Sequence, residues 1–99
     1  MTASGWAAAK AALVMLCRQL AQEWAADGIR ANAVCPGMIE TPMTQKPGMG
    51  ELIQQLVAAS PMQRIGQPEE IGWPAAFLAS RGASFTTGAV LDVNGGMYM

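Results

Sequence analysis

Few side chains in this sequence could act as acids, bases, nucleophiles or metal ligands. The 99 residues contain no histidine, so the usual general base and the commonest metal ligand are both absent. Cys17 and Cys35 lie far apart within apolar stretches, a spacing typical of neither a zinc site nor a disulfide framework. We therefore expect no metal site, and we interpret both cysteines as buried free thiols of a reducing compartment, the cytoplasm.

Trp6 and Lys10 are spaced so that two functional groups could act side by side. They lie four residues apart in an apolar segment, and such positions share one face of an α-helix. A lysine is charged and donates hydrogen bonds, whereas an indole only donates and does not titrate. Considered alone, Lys10 would be a solvated lysine, and Trp6 an aromatic side chain that packs on a neighbour.

The composition excludes several classes of protein. Hydrophobic residues make up 52% of the chain and charged residues 13%, which excludes a disordered tail and suggests a fragment of a larger core. The net charge of −1 offers no electrostatic basis for binding nucleic acid or an anionic membrane. No apolar run is long enough to span a membrane, and Lys10 and Arg18 interrupt the stretch in which a signal peptide would lie.

The hydrophobic pattern predicts a long first helix over residues 5–27. Ser4 is placed to cap it, and Gly28 to end it. Three- and four-residue steps form an apolar stripe of Leu13, Leu16, Leu20 and Trp24. Because the other faces also carry few polar residues, we expect this helix to be buried on two sides.

The rest of the chain alternates strands with helices. We predict a strand over 29–35, a loop over 36–50, helices over 51–59 and 68–80, and a second strand over 88–93. Pro74 lies inside the last helix and is expected to bend it. Strands separated by helical crossovers pair in parallel, so the predicted fold class is α/β with about two strands and three helices.

Three sequence patterns occur here in a fixed order. They are Trp-Ala-Ala-Ala-Lys at 6–10, Asn-Ala-Val-Cys-Pro-Gly-Met-Ile-Glu-Thr-Pro at 32–42, and Pro-Met-Gln-Arg-Ile-Gly-Gln-Pro-Glu-Glu-Ile at 61–71. Phe-Leu-Ala-Ser at 77–80, Thr-Gly at 87–88 and Val-Asn-Gly-Gly at 93–96 follow. Together they closely resemble the C-terminal part of the short-chain dehydrogenase/reductase family, over nearly all 99 residues.

This resemblance implies an NAD(P)-dependent oxidoreductase on a Rossmann-like, doubly wound parallel sheet, of which residues 1–99 would be a partial domain. The family transfers a hydride between NAD or NADP and an alcohol or ketone, using a Tyr-x-x-x-Lys pair. Lys10 matches the lysine, which lowers the pKa of the tyrosine and bonds the nicotinamide ribose. Trp6 stands at the tyrosine position, and because indole cannot relay a proton, the acid/base step should be lost.

The same resemblance implies a cofactor surface after the first strand, at Pro36, Gly37, Ile39 and Thr41. Backbone near the first three would contact the nicotinamide, and the Thr41 hydroxyl would bond the carboxamide or phosphates. The alternative is an ordinary strand-ending turn with Thr41 as a cap. Residues 38–57 match the segment that covers the substrate, with an apolar lining of Met38, Ile39, Met43, Met49, Ile53 and Leu56. Arg64, Glu69 and Glu70 are interpreted as structural charges at a helix start.

The Gly-x-x-x-Gly-x-Gly turn that binds the pyrophosphate in this family does not occur in the sequence. Gly48 and Gly50 lie in a loop with no strand before it. We expect that turn and the other catalytic residues to lie upstream of Met1. We do not expect the isolated chain to bind NADH or NADPH tightly. Two hypotheses remain: an oxidoreductase fragment that is inactive alone, or a non-catalytic packing module. The second would join a second copy or a partner chain through helix 5–27.

Overall fold

The alternation of helical and strand segments along the sequence is present in the fold. The computed structural model describes residues 2–97 as three α-helices and a two-stranded sheet, which confirms the predicted α/β class. The elements are α1 (Ala3–Trp24), β1 (Ala33–Pro36), α2 (Gly50–Ala59), α3 (Pro68–Ala79) and β2 (Val90–Val93). Short 3-10 helices lie at Ala25–Asp27, Pro42–Gln45 and Arg81–Ala83.

Helix α1 starts earlier than the sequence predicts. Thr2, not Ser4, is the N-cap: its hydroxyl accepts a hydrogen bond from the Gly5 amide at 3.1 Å. Thr2 has the extended backbone conformation that an N-cap requires, whereas Ser4 already lies in the first helical turn. The predicted stop is confirmed, because Gly28 adopts φ +74° and its amide bonds the Ala25 carbonyl at 3.0 Å.

The two strands are shorter than predicted, and they run parallel. The Gly88 amide bonds the Ala31 carbonyl at 2.7 Å, and the Ala33 amide bonds the Ala89 carbonyl at 2.9 Å. At the other end, the Gly37 amide bonds the Val93 carbonyl at 2.9 Å. The predicted strand 29–35 is confirmed only from residue 33, because side-chain hydrogen bonds interrupt the ladder at residues 31 and 32, where the Ala31 carbonyl alone keeps a backbone bond.

Residue contacts divide the described chain into two compact units. The first unit comprises residues 2–33 and 77–91, and the second comprises residues 34–76 and 92–97. Each unit is described by itself below. None of the helices within residues 2–97 is long and apolar enough to cross a membrane.

In the first unit, α1 turns a narrow face of small residues toward its neighbours. Ala21 is buried, and a Cβ atom on Gly88 would lie 3.4 Å from the Ala21 Cβ. The predicted stripe is largely open instead, with Leu13 58% and Leu16 52% exposed. Within the described residues α1 is therefore buried on one side only, and burial of its second side against a further helix or subunit stays a prediction. Small side chains permit the close approach, and nothing in the unit covers the leucines.

Arg30 joins three backbone segments of the first unit. Its guanidinium donates to the carbonyls of Leu78 at 2.7 Å, Thr86 at 3.2 Å and Ser80 at 3.4 Å. Leu78 lies in the last turn of α3, where carbonyls have no helical partner. Arg30 thus supplies a hydrogen-bond donor to a carbonyl at the C-terminal end of α3, and it fixes the loop that leads to β2.

In the second unit, the turn after β2 lies against the segment that follows α2. The Met62 amide donates to the Gly95 carbonyl at 3.1 Å, and Ser60 is buried beside it. Gly95 and Gly96 both have positive φ, at +64° and +90°. Side chains are strained in that conformation, which explains the glycine pair at this turn.

Candidate cofactor surface and active-site residues

Trp6 and Lys10 lie on one face of α1 in the first unit, as their spacing predicts. The Lys10 Nζ atom is 5.7 Å from the centroid of the Trp6 ring, within range of a cation–π interaction. Trp6 is 48% exposed and Lys10 is exposed. The ammonium group therefore lies beside an indole, whose N–H can donate a hydrogen bond but cannot exchange a proton at ordinary pH.

Gly37 lies at the carboxyl end of β1, in the second unit, where another chain segment approaches it closely. A Cβ atom at this position would lie 2.7 Å from the Asn94 Cα, closer than real side chains come. The absence of a side chain at Gly37 is therefore explained by Asn94, without any ligand. The expectation that glycine here also serves cofactor approach stays a prediction. Asn94 lies far along the sequence, so no local pattern could reveal the contact.

Ile39 forms an isolated parallel bridge with Gly66, which the sequence did not predict. The Gly66 amide donates to the Met38 carbonyl at 2.9 Å, and the Glu40 amide donates to the Gly66 carbonyl at 2.8 Å. In such a bridge the residues on either side of Ile39 supply the bonded groups, so the N–H and C=O of Ile39 face the opposite edge. Within residues 2–97 neither group bonds another backbone group.

Thr41 begins the 3-10 helix Pro42–Gln45, where it is the N-cap residue. The Thr41 amide donates to the Thr44 hydroxyl at 3.0 Å, and that hydroxyl donates to the Thr41 carbonyl at 2.8 Å. The interpretation of Thr41 as a capping residue thus has direct structural support. Its proposed bond to a carboxamide or phosphate stays a prediction. Thr44 is the residue that the sequence reasoning missed.

Glu40 ties the same loop to the start of α3. Its carboxylate accepts hydrogen bonds from the Gln67 side chain at 2.8 Å and the Gln45 side chain at 3.3 Å. Gln67 follows the bridge residue Gly66 directly. Backbone and side-chain bonds therefore hold the loop against one short segment, residues 66–67.

Arg64 and Glu70 form a bidentate ion pair at the start of α3, with both N···O distances 2.7 Å. The Glu70 carboxylate also accepts from the Gln67 amide at 3.0 Å, which caps the helix. The Arg64 hydrogen bonds, followed by that amide, lower the pKa of Glu70 from 4.5 to about 2. Arg64 and Glu70 act on each other and on the helix start, which agrees with their interpretation as structural charges.

A cavity of about 330 Å³ lies within the second unit. Met38, Ile39 and Leu56, which belong to the expected substrate lining, line this cavity. Met43, Met49 and Ile53 do not, and Met43 is 66% exposed. Substrate covering and core filling both stay open for this segment. Residues from two later segments take their place: Met62, Val93 and Met97.

Comparison with known proteins identifies the family of this chain. The family model described as Enoyl-(Acyl carrier protein) reductase matches residues 2–98. The chain belongs to the short-chain dehydrogenase/reductase family. Use of NAD(P) follows at the level of that family.

Known short-chain dehydrogenases/reductases match almost the whole chain. It is 47% identical over 95 residues to galactitol 2-dehydrogenase (L-tagatose-forming) of Cereibacter sphaeroides, covering 95% of the chain and 37% of that protein. It is 46% identical over 96 residues to the 3-oxoacyl-(acyl-carrier-protein) reductase FabG of Pseudomonas aeruginosa, covering 97% and 38%. The crystal structure of 3-oxoacyl-(acyl-carrier protein) reductase from Brucella melitensis superposes with a TM-score of 0.88 at 41% identity, covering 95% and 35%.

The chain therefore spans little more than a third of the length of these relatives. Within that third, the donor set at the end of β1 fits the nicotinamide of the family's cofactor. A primary carboxamide carries one acceptor oxygen and two donor hydrogens, and Ile39 presents a backbone N–H and C=O side by side. Ligands of open α/β sheets bind at the carboxyl ends of the strands, which is where this loop lies.

Proposed function

We propose that this chain is the C-terminal part of an NAD(P)-dependent oxidoreductase that interconverts an alcohol and a ketone. The observation that carries the proposal is the loop after β1, where the bridge to Gly66 leaves the Ile39 N–H and C=O without a backbone partner among residues 2–97 and so available to a carboxamide. Pro36, Gly37 and Thr41 would complete this surface. The nicotinamide, when bound, supplies or accepts the hydride.

The names of the relatives support a secondary alcohol or its ketone as the reacting group. They include a galactitol 2-dehydrogenase, a 3-oxoacyl-(acyl-carrier-protein) reductase and an acetoacetyl-CoA reductase. Each of these names denotes an alcohol, a ketone or the step between them. We extend only that shared chemistry to this chain.

The roles of Trp6 and Lys10 differ in this proposal. Lys10 would bind the cofactor ribose, because an exposed ammonium on α1 can donate up to three hydrogen bonds. Trp6 would not relay a proton, so the reaction would lack its acid/base step. The 99 residues also contain no Gly-rich turn for the pyrophosphate, and we propose that the chain by itself is inactive.

A non-catalytic packing module is the second candidate function. The observation that favours it is the open apolar face of α1, on which Leu13 and Leu16 are each more than half exposed. In this alternative α1 would bind a second copy of the chain or a partner chain. The free Cys17 and Cys35 support a cytoplasmic setting for either candidate.

Calorimetric titration with NADH and NADPH tests the proposal. The chain alone should show no micromolar binding of either cofactor. A chimera that places the N-terminal part of the Pseudomonas reductase before this chain should bind one of them, because it restores the pyrophosphate turn. Substitution of Thr41→Val in the chimera should weaken binding, with Thr86→Val, in the first unit, as the matched control. Micromolar binding by the chain alone would contradict the proposal, as would a folded chimera that binds neither cofactor.

A further inference from the structure

Gly66 and Gln67 hold the loop that carries Ile39 from two directions. The backbone of Gly66 bonds Met38 and Glu40 at 2.9 and 2.8 Å, and the Gln67 side chain bonds the Glu40 carboxylate at 2.8 Å. All of these residues belong to the second unit. The loop is therefore fixed by contacts inside the chain, before any cofactor is present.

The close fit at Gly66 sets the distance between the two segments. A Cβ atom on Gly66 would lie 2.7 Å from the Ile39 Cδ1 and 3.6 Å from the Met38 carbonyl oxygen. The Cδ1 atom is the free end of a side chain and can move aside for one added methyl. A branched side chain at position 66 would leave no such escape and would separate the strands of the bridge.

We propose that Gly66 and the Glu40–Gln67 hydrogen bond are positioning elements that keep the backbone N–H and C=O of Ile39 facing away from the bridge. This deepens the function proposed above, since it rests on Ile39 as the carboxamide partner. Gly66 and Gln67 act through Ile39, by pairing the groups on either side of it. Preorganisation of this kind lowers the entropy that binding must overcome.

Hydrogen exchange of the chimera that places the N-terminal part of the Pseudomonas reductase before this chain, followed by mass spectrometry, tests the inference. In the unsubstituted chimera the Glu40 and Gly66 amides should be protected. Gly66→Val should speed their exchange about tenfold or more, whereas Gly66→Ala should have a small effect. Ile39→Ala should restore protection to the Gly66→Val chimera, because it removes the atoms that the new side chain meets.

Two controls separate positioning from general loss of structure. The Ala33 and Gly88 amides belong to the first unit, so Gly66→Val should leave their exchange unchanged. Glu40→Ala should also speed exchange in the loop, whereas Glu51→Ala, at the exposed start of α2, should not.

Three results would overturn the inference: no protection at Glu40 and Gly66 in the unsubstituted chimera, equal acceleration in both units, or no rescue by Ile39→Ala. Failure of nicotinamide binding with the exchange results intact would refute the proposed function and leave the positioning of Ile39 standing.

Discussion

At the scale of single residues, we propose that position 6 decides whether the family's proton transfer can occur. Trp6 lies beside Lys10 on α1, in the arrangement that the i, i+4 spacing predicts. The lysine in this family lowers the pKa of a phenol, but an indole offers no proton in the same range. The Lys10 ammonium thus lies beside an indole, which has no proton whose pKa that charge could lower into the useful range.

Substitution of Trp6→Tyr should therefore raise activity only in a protein that can bind both cofactor and substrate. In the 99-residue chain it should create no dehydrogenase activity, because a proton relay works only beside bound reactants. In the chimera it should raise turnover of a ketone panel, followed by the absorbance of the reduced nicotinamide, by about 10²-fold or more. Equal turnover by the Trp6 and Tyr forms of a folded chimera would show that position 6 is wrongly assigned.

The Arg64–Glu70 pair predicts a pH dependence at the start of α3. The pKa of Glu70 is lower in the fold, at about 2, than its usual 4.5. Its contribution to stability is therefore complete above about pH 4.5 and is lost as the pH falls toward 2. Carboxyl NMR should show Glu70 titrating near 2, and Arg64→Gln should return it toward the usual range, whereas Arg81→Gln should not. Titration of Glu70 near 4.5 in the unsubstituted chain would contradict the pair.

At the scale of elements, Arg30 shows why the first strand begins late. Its guanidinium and the Asn32 side chain bond the carbonyl of Thr86, and Asn32 also accepts from the Ala89 amide at 2.9 Å. Over residues 30–32 such side-chain bonds replace the strand ladder, except for the backbone bond that the Ala31 carbonyl accepts from the Gly88 amide. The segment alternates like a strand in sequence, yet its partners lie some fifty residues further along the chain.

Arg30→Ala should destabilise the first unit. It removes charge-assisted hydrogen bonds to three carbonyls, a change that typically lowers the free energy of unfolding by about 2 kcal/mol. Urea unfolding of the chimera, followed by circular dichroism at one fixed protein concentration, measures the effect. Arg81→Ala, which removes an exposed guanidinium of the same unit, is the matched control and should change stability by less than about 0.5 kcal/mol. Equal effects of the two substitutions would refute the role of Arg30.

The sequence predicts where the helices and strands lie, but it does not predict the residues at which they begin and end. Apolar periodicity and the punctuation by Gly28, Pro61 and Pro68 place all three helices. Local chemistry could not decide between Thr2 and Ser4 as the cap, because either hydroxyl can accept a bond from an amide two or three residues further along and only the backbone conformation separates them. For the candidate site, short sequence patterns predicted the residues of the loop after β1. The Ile39–Gly66 bridge and the Gly37–Asn94 contact join segments distant in sequence, so they required the fold.

At the scale of the whole molecule, the described residues bury little. Among residues 2–97 only Ala21, Ala83 and Ser60 are buried, and no large side chain is fully enclosed. The sheet described has two strands, and isolated two-stranded sheets are marginally stable in water. Burial on this scale offsets chain entropy poorly, so partners that cover apolar surface are favoured.

The purified chain should accordingly be oligomeric, aggregated or molten. Size-exclusion chromatography with light scattering measures its mass, and near-ultraviolet circular dichroism of Trp6, Trp24 and Trp73 reports its tertiary order. Leu16→Glu on the open face of α1 should reduce association, whereas Gln22→Glu, also on α1, should not. A monodisperse monomer with sharp aromatic signals and a cooperative melt would refute the fragment interpretation.

The methionines have a chemical consequence for this surface and for the cavity. The chain carries eight, and Met15, Met43 and Met62 are each more than half exposed. Oxidants reach sulfur atoms that water reaches, and a sulfoxide turns an apolar side chain into a polar one. Oxidation of Met15 would make the exposed surface of α1 more polar and so weaken its association with other apolar surfaces. Oxidation of Met62 would place a strong dipole in the cavity wall. Mild peroxide would therefore alter self-association and the cavity together, and methionine sulfoxide reductases would reverse both changes.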